Sequence, residues 1–316
     1  MHRYIIRRLL LSIPVLWGVS LIVFVAIRLV PGDALVAKMQ GEFSSNPDQI
    51  ARMRAELGLD VPAPVQYVVW LGGVLHGNLG TSMNTFRPVS AEILSRVPIT
   101  AELALLSLVF GVLFAVPIGV ASAAYQDTWI DYVGRIVSML ALSVPSFVIA
   151  SALILFPALW WDYFPPLGLA QITQAPLENL QQVLPAAAAL GAILTGGMMR
   201  ITRSGALEVL RSDHVRTARA KGLPEGLVLW RHVLKGALVP VVTVAGSDFG
   251  RLLGGTVIIE SIFAFPGIGL LTLTSIQLRD YTQLQGNVLF IAAVVVFFNL
   301  IVDLLYGFLD PRIRYA

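Results

Sequence analysis

The 316-residue sequence contains no cysteine and few charged residues. Without cysteine the chain cannot form disulfides, cysteine-ligated zinc sites or iron–sulfur clusters, and it cannot use thiol catalysis. Lys, Arg, Asp and Glu make up 13% of the residues, whereas a soluble domain has about 25%. This shortage of charge, together with 56% apolar residues, excludes an ordinary cytosolic enzyme and a disordered chain.

Motifs that would indicate an enzyme or an ATPase are also missing. The chain has no G-x-x-x-x-G-K-[ST] loop for nucleotide phosphates, no H-E-x-x-H zinc helix and no G-x-S-x-G turn. Its four histidines are scattered, which does not fit a metal site. Basic residues are not interleaved with stacking aromatic residues in a soluble module, so we expect no nucleic-acid binding. The sequence predicts a chain that is not an enzyme and holds no cofactor of its own.

The sequence does contain several long apolar runs. Its mean hydropathy is +0.78, and one membrane-spanning helix needs roughly 20 apolar residues. The first run follows several arginines, as in a signal peptide, but it is too long for one and no A-x-A cleavage site follows, so we expect a retained helix. The sequence predicts an all-α membrane protein with six transmembrane helices. The six runs are 9–30, 101–124, 134–160, 183–203, 236–259 and 287–309.

The distribution of basic residues predicts which side of the membrane each connection faces. Residues 200–235 carry eight Lys or Arg against three acids, whereas residues 160–182 carry two acids and no Lys or Arg. Short loops rich in Lys and Arg stay in the cytoplasm. We therefore expect 200–235 to be cytoplasmic. With six crossings, both termini lie on that same side.

The connection 31–98, between the first two predicted helices, is too long to be a simple loop. Asn46 is placed to cap a short helix that Gly58 ends. A second amphipathic stretch follows Pro64, and a turn is predicted at Gly77. We therefore expect a small folded cap on the outer face of the membrane.

The segment around Gly222 has the features of two short helices joined by an elbow. Asp213 can cap the first helix, Ala218 and Ala220 favour it, and Gly222 is expected to end it in the left-handed conformation. Pro224 is expected to begin the second helix. Such a rigid projection suits docking into a groove of a soluble partner. The alternative is a basic loop that only sets the topology and meets anionic lipid.

The same segment contains a run of residues that is typical of a known family. The run is Thr217-Ala218-Arg219-Ala220-Lys221-Gly222-Leu223, with Pro240 eighteen residues beyond the glycine. It resembles the EAA loop of bacterial ABC importer permeases. Arg216 and Lys235 stand where the generic motif has Glu and Leu-Pro, and this departure resembles the peptide-importer branch of the family.

Other stretches along the whole chain are similar to that branch. On this resemblance the chain is identified as a long-outer-loop permease of a dipeptide or oligopeptide ABC importer. The stretches are Leu29-Val-Pro-Gly-Asp33, Leu57-Gly-Leu-Asp60, Gly77-Asn-Leu-Gly-Thr-Ser82, Phe265-Pro-Gly-Ile-Gly269, Arg279-Asp-Tyr281 and Leu309-Asp-Pro-Arg312.

The resemblance implies a transport function that depends on several partners. The chain would form half of a translocation pathway for peptides or related small solutes in the lipid of the bacterial inner membrane. A second homologous permease would form the other half, and an extracytoplasmic binding protein would deliver the solute. Two ATP-binding subunits would hold ATP and Mg²⁺. The residues implied to couple to them are Asp213, Thr217, Ala218, Arg219, Ala220, Lys221, Gly222 and Leu223.

The implied domain organisation follows the predicted topology. Residues 1–30 form the first transmembrane helix, and residues 31–98 form the outer cap. Residues 99–309 form the core transmembrane domain, with the coupling loop at about 204–235. Residues 310–316 form a cytoplasmic tail.

Three ionisable residues in or near the fifth predicted helix are candidates for the translocation path. Asp248 and Arg251 are three residues apart, so they share a helix face and can pair. A charge in lipid is costly, which favours either a path that meets the charged ends of a peptide or an ion pair that holds the bundle together. Glu260 precedes the aromatic and glycine-rich residues 263–269, which fit a re-entrant piece or an interfacial turn.

An ion-coupled secondary transporter that works without an ATPase is the main alternative function. It would carry an inverted repeat with broken helices and carboxylates near the midplane of the membrane. No convincing repeat is present, and Asp248 has an arginine nearby. The solute itself stays open, because dipeptides, longer peptides, glutathione and metal complexes all fit the resemblance.

Overall fold

The computed structural model describes residues 2–29, 60–164 and 169–309. In these ranges the regular structure is helical, apart from one isolated β-bridge between Thr81 and Pro88. The predicted all-α class is therefore confirmed. The helices are α1 (His2–Leu29), α2 (Ala63–Leu75), α3 (Val89–Ala124), α4 (Trp129–Ser143), α5 (Ser146–Trp161), α6 (Pro176–Leu210), α7 (Asp213–Ala220), α8 (Glu225–Val228), α9 (Leu234–Gly255), α10 (Val257–Ile262), α11 (Ile268–Gln277) and α12 (Tyr281–Leu309), with a π-helical turn (Leu229–Val233) joining α8 to α9.

Five helical segments in the described ranges are long and apolar enough to cross a membrane. They are α1, α3, α6, the run from α8 to α9, and α12. A sixth crossing results when α4 and α5 are taken as one bent span. The predicted six crossings are confirmed in this form.

The third predicted span, 134–160, is a broken helix rather than a continuous one. α4 and α5 meet at Val144 and Pro145 with a bend of 96°. Proline lacks the N–H that a helix interior needs, and its ring pushes the preceding residue out of the helical region. Val144 accordingly has φ −88° and ψ 121°. The span that the sequence predicts as continuous is therefore interrupted at this proline.

α3 and α6 are much longer than the spans predicted within them. They contain 36 and 35 residues, which at 1.5 Å per residue is about 54 Å and 52 Å. The hydrocarbon core of a bilayer is only about 30 Å thick, so both helices continue beyond it. α6 runs to Leu210. The predicted coupling loop 204–235 therefore begins inside a helix.

Of the two adjacent glycines in α6, only Gly196 lies in a close helix contact. A Cβ atom on Gly196 would lie 2.9 Å from the carbonyl oxygen of Ser138 in α4. The Ser138 hydroxyl donates to the carbonyl oxygen of Gly196 at 2.7 Å. Nothing lies within 4 Å of a Cβ atom built on Gly197. The backbones of α4 and α6 thus meet on the face that carries Gly196.

The chain divides into two compact units. In the first unit, α3, α11 and α12 pack through a small core around Val89, Ile93 and Leu271. In the second, α3, α5, α6 and α10 pack around Leu103 and Val183. The predicted domain boundaries follow topology and stay predictions. The units are Met1–Pro98 with Gly267–Val296, and Ile99–Pro266 with Phe297–Ala316.

Part of the predicted outer cap lies within the described residues. The amphipathic stretch after Pro64 forms α2, which begins directly after Pro62. The predicted turn is also present, since Gly77 has φ 79°. The expected helix between Asn46 and Gly58 and the tail 310–316 lie outside the described residues.

Candidate functional site

α7 rests on the second unit through two small apolar side chains. Val215 and Ala218 are 0% and 4% exposed, and their spacing of three residues puts them on one helix face. Their cluster joins α7 to α3, α6 and the start of the fifth span. Its other buried members are Ala123, Ala206, Val228, Val233 and Ala237.

The opposite face of α7 and the elbow beyond it are exposed, and three of their side chains are basic whereas one is acidic. Most of the predicted coupling residues lie on it or just beyond it, whereas Ala218 faces the bundle and Leu223 packs partly against the same apolar cluster. The segment therefore has a fixed apolar base and an open polar face. The exposed residues are Asp213, His214, Arg216, Thr217, Arg219, Ala220, Lys221 and Gly222.

The cap of α7 is Ser212, so the prediction of Asp213 as the capping residue is wrong by one position. Ser212 has extended backbone angles, and Asp213 is the first residue of the helix. Serine and aspartate are about equally good at a helix start, so the sequence alone does not separate them. The Asp213 carboxylate lies 3.5 Å from the guanidinium of Arg216. The helix dipole also stabilises a negative charge in this first turn of α7.

The elbow after α7 has the predicted left-handed glycine. Gly222 has φ 77°, a conformation that residues with a Cβ rarely adopt. Its N–H donates to the carbonyl oxygen of Arg219 at 2.9 Å, and the N–H of Leu223 donates to that of Ala218 at 3.4 Å. These bonds close the end of α7 and turn the chain sharply.

The second short helix predicted after Pro224 is not a separate element. α8 has only four residues, and it continues through the π-helical turn into α9. Residues 229–239 contain no proline that would stop the helix. The second half of the predicted elbow is thus the first turn of the fifth span, and a rotation of α8 would be passed directly to α9.

A two-point ion pair spans the elbow. Arg219 Nε and Nη2 donate to the two carboxylate oxygens of Glu225 at 3.0 Å and 2.5 Å. Parallel bonds of this kind fix the geometry as well as the charge. The hydrogen bond to Glu225 raises the pKa of the Arg219 guanidinium. This pair does not follow from the sequence, because its two members are separated by a non-helical turn, where helix spacing rules do not apply.

A buried ion pair between α4 and α6 was also missed. Asp131 is fully buried, and it accepts two bonds from Arg203 at 2.7 Å and 2.8 Å. The hydroxyl of Ser122 adds a bond of 2.6 Å. Arg203 is the last residue of the predicted span 183–203 and one of the basic residues counted in segment 200–235; in the structure it lies inside α6 and binds Asp131 of α4.

The intramembrane candidates occupy two different environments. Arg251 donates to Asp248 on the same helix. Asp248 is buried, whereas the Arg251 side chain is 72% exposed. Glu260 is buried and accepts hydrogen bonds from Thr100 at 2.8 Å and Thr256 at 2.5 Å. Asp248 and Arg251 form the predicted pair, and the Glu260 carboxylate lies in the packed interior of its unit.

In the first unit, two of the family-like stretches meet at the buried carboxylate of Asp280. The hydroxyl of Ser82 donates to it at 2.5 Å, and the N–H groups of Met83 and Gln283 donate at 3.1 Å and 3.0 Å. The stretch that ends at Ser82 and the stretch 279–281 are thus held together by hydrogen bonds to Asp280.

The described residues offer no evident metal centre. Among residues 2–29, 60–164 and 169–309, no group of three His, Asp or Glu side chains is placed to hold a metal ion.

Comparison with known proteins gives full-length similarity to transport permeases. Residues 115–315 match the family described as "Binding-protein-dependent transport system inner membrane component", and residues 1–104 match its N-terminal counterpart. The chain is 38% identical to the dipeptide transport system permease protein DppB of Alkalihalophilus pseudofirmus over 100% of both chains. It is equally 38% identical to the glutathione transport system permease protein GsiC of Salmonella typhi, again over 100% of both chains.

A solved structure supports the fold. An amino acid ABC transporter chain superposes with a TM-score of 0.51 and 17% identity, covering 71% of this chain and 94% of that one. The helical architecture, the two family matches and the full-length relatives agree with one another. The chain therefore belongs to the family of binding-protein-dependent transport system inner membrane components, the multi-pass permease subunits of ABC importers.

Proposed function

We propose that this chain is the permease subunit of an ATP-driven importer for peptides or closely related solutes such as glutathione. The observation that carries the proposal is the full-length identity of 38% both to a dipeptide permease and to a glutathione permease. Dipeptides and glutathione share a peptide backbone with charged ends. The simplest function common to both relatives is therefore a pathway for solutes that have a peptide backbone and charged ends.

The exposed face of α7 and the Gly222 elbow are the proposed contact with an ATP-binding subunit. This is supported by the fixed base at Val215 and Ala218, because a docked helix can transmit force only when it is anchored. ATP binding would bring two such subunits together. The motion would reach α3 and α6 through the apolar cluster and α9 through α8, switching the bundle as a rigid body.

The proposed complex contains four further protein subunits of three kinds. A second homologous permease completes the pathway, and two ATP-binding subunits bind ATP and Mg²⁺. An extracytoplasmic binding protein delivers the solute, and membrane lipid surrounds the bundle. Both termini and α7 would face the cytoplasm, which the excess of Lys and Arg in residues 200–235 favours.

Asp248 and Arg251 are the residues proposed to face the pathway. An arginine that is mostly exposed on a membrane helix needs a water-filled cavity or a neighbouring chain. A path between two permeases would provide either one. Glu260, by contrast, would act through its two hydroxyl partners, by holding α10 against α3 at the pathway's outer end.

A mild-detergent pull-down of this chain from its native membrane tests the proposal first. Mass spectrometry should recover one homologous permease together with one or two ATP-binding subunits. Reconstitution of that complex with its binding protein should then give ATP-dependent uptake of a radiolabelled dipeptide into vesicles. Recovery of the chain alone or as a homo-oligomer would contradict the proposal and favour the ion-coupled transporter.

A further inference from the structure

An apolar groove lies between α3 and the start of the fifth span, within the second unit. One wall is formed by residues from the range 112–125 and the other by residues from the range 226–238. The volume of the groove is about 470 Å³, which is in the range of small-molecule sites, about 300–1,000 Å³. Apart from Tyr125 and Trp230, every lining residue is aliphatic, proline or glycine. The groove therefore suits a long apolar chain.

The groove begins at the ends of two membrane spans and has about the depth of one leaflet. Its walls extend along about 18–20 Å of helix, and half of the hydrocarbon core of a bilayer is about 15 Å. α3 ends at Ala124, and the fifth span begins at Glu225. Tyr125 and Trp230, which line this end of the groove, are 54% and 76% exposed. Such aromatic residues are typical of the boundary between membrane and water.

Two basic side chains flank the wall that contains Trp230. Arg231 and Lys235 directly follow the lining residues Trp230 and Leu234, and both are exposed. Residues four positions apart lie on the same side of a helix. The wall therefore has an apolar stripe inside the groove and a basic stripe beside it.

The charge around the groove is positive. Residues 103–126 contain no charged residue, and residues 226–247 contain no Asp or Glu. The nearest acids in the sequence are Asp127 and Glu225. Each of them already has an arginine partner, Arg135 at 3.7 Å and Arg219 through two hydrogen bonds. An occupant with a negative charge at this end of the groove would therefore be favoured.

We propose that the groove binds one anionic phospholipid of the membrane, with an acyl chain along its walls and the phosphate at Arg231 and Lys235. An apolar chain with a negative head group matches an apolar groove with two cations at its end, and basic pockets between membrane helices bind anionic head groups in this way. A helix of a second permease is the alternative occupant. Charged side chains are rare in membrane helices, so such a helix would leave both cations without a counter-charge.

The test uses the chain with the subunits that accompany it, in phosphatidylcholine nanodiscs that contain a trace of a phospholipid with a diazirine in its acyl chain. The probe is either anionic phosphatidylglycerol or zwitterionic phosphatidylcholine. After irradiation, mass spectrometry should find adducts in residues 112–125 and 226–238. Phosphatidylglycerol should be preferred roughly 25-fold, because each cation favours it about fivefold.

A substitution of Arg231 tests the recognition of the head group. Arg231→Gln should reduce the preference for phosphatidylglycerol to about fivefold, because one cation remains. Arg200→Gln is the matched control. It removes an exposed arginine from α6, which does not line the groove, and should retain the full preference. Equal adducts from both probes in the wild type would overturn the proposal.

Two further variants test the groove itself. Val116→Trp adds an indole to the α3 wall and should strongly reduce the adducts of both probes on residues 226–238. Val109→Trp makes the same change at an exposed position of α3 outside the groove and should leave them unchanged. Size-exclusion profiles check that both variants assemble. A wild-type complex without adducts on either wall would show that another subunit covers the groove, which would also overturn the proposal. None of these results depends on the solute that is imported.

Discussion

Asp131 and Arg203 form a two-point ion pair between α4 and α6, with bonds of 2.7 Å and 2.8 Å. Their positions connect this pair to the candidate coupling segment. Ser122, which also binds Asp131, precedes Ala123 of the apolar cluster under α7, and Ala206 of that cluster lies one helical turn beyond Arg203. Asp131 thus connects α3, through Ser122, to α6, through Arg203, and α7 rests on both of these helices.

Replacing Asp131 with Asn should destabilise the protein strongly. The substitution leaves the Arg203 guanidinium without its counter-charge, and breaking a buried pair in this way costs about 3–5 kcal/mol. We expect a clearly lower thermal unfolding midpoint of the purified complex and less protein in the membrane. Asp127→Asn is the control, because its exposed carboxylate lies 3.7 Å from Arg135 and contributes less than about 1 kcal/mol. Equal midpoints for the two variants would show that the pair is not important for stability.

Gly222→Val should uncouple ATP hydrolysis from transport. A β-branched residue is strained at φ 77°, so the elbow must open and α7 must change direction. The left-handed conformation costs an ordinary residue about 1–2 kcal/mol, which is too little to unfold the chain. We expect normal membrane levels with a severalfold lower ratio of solute imported to ATP hydrolysed. Gly226→Ala, in a helical position with nothing near its Cβ, should retain the wild-type ratio.

Glu225→Gln should weaken the same coupling with little effect on stability. The pair with Arg219 is partly exposed, and such pairs contribute about 1 kcal/mol or less. The pair fixes the direction in which the chain leaves α7. We therefore expect a lower ratio of solute imported to ATP hydrolysed, with almost no change in the unfolding midpoint. Glu208→Gln removes an exposed acid of α6 and serves as the control. A fall in midpoint without a change in the import ratio would contradict a positioning role.

Gly196→Ala and Gly197→Ala should have opposite effects although the residues are adjacent. The new Cβ at position 196 would lie 2.9 Å from a backbone oxygen of α4, so the helices must separate. At position 197 the Cβ meets open space, and alanine favours a helix by about 1 kcal/mol relative to glycine. We expect a lower unfolding midpoint for the first variant and an equal or higher one for the second. Matching midpoints would show that α4 and α6 do not touch here.

The features that were predicted correctly are local ones. The left-handed turn at Gly222 follows from the backbone freedom of glycine itself. The spans follow from the length of apolar runs. Each of these depends on a residue and its near neighbours, so a sequence read in order contains the necessary information.

The features that were missed depend on residues far apart in the chain. Asp131 and Arg203 are 72 positions apart, and nothing in the surroundings of either residue points to the other. Arg203 lies in a basic segment and was therefore counted as a topology signal. Such pairings follow from the tertiary arrangement, which hydropathy does not specify.

The hydrogen bonds between the segment at Ser82 and the Asp280 carboxylate have a consequence for synthesis of the chain. Ser82 and Asp280 are 198 residues apart, and at 5–20 residues per second the ribosome needs about 10–40 s to make the residues between them. Until then the N–H of Met83 and the hydroxyl of Ser82 lack their carboxylate acceptor. The first unit, which contains the first helix, therefore stays incomplete until residues 267–296 have been made, and a nascent chain released before residue 280 lacks the carboxylate that holds these stretches together.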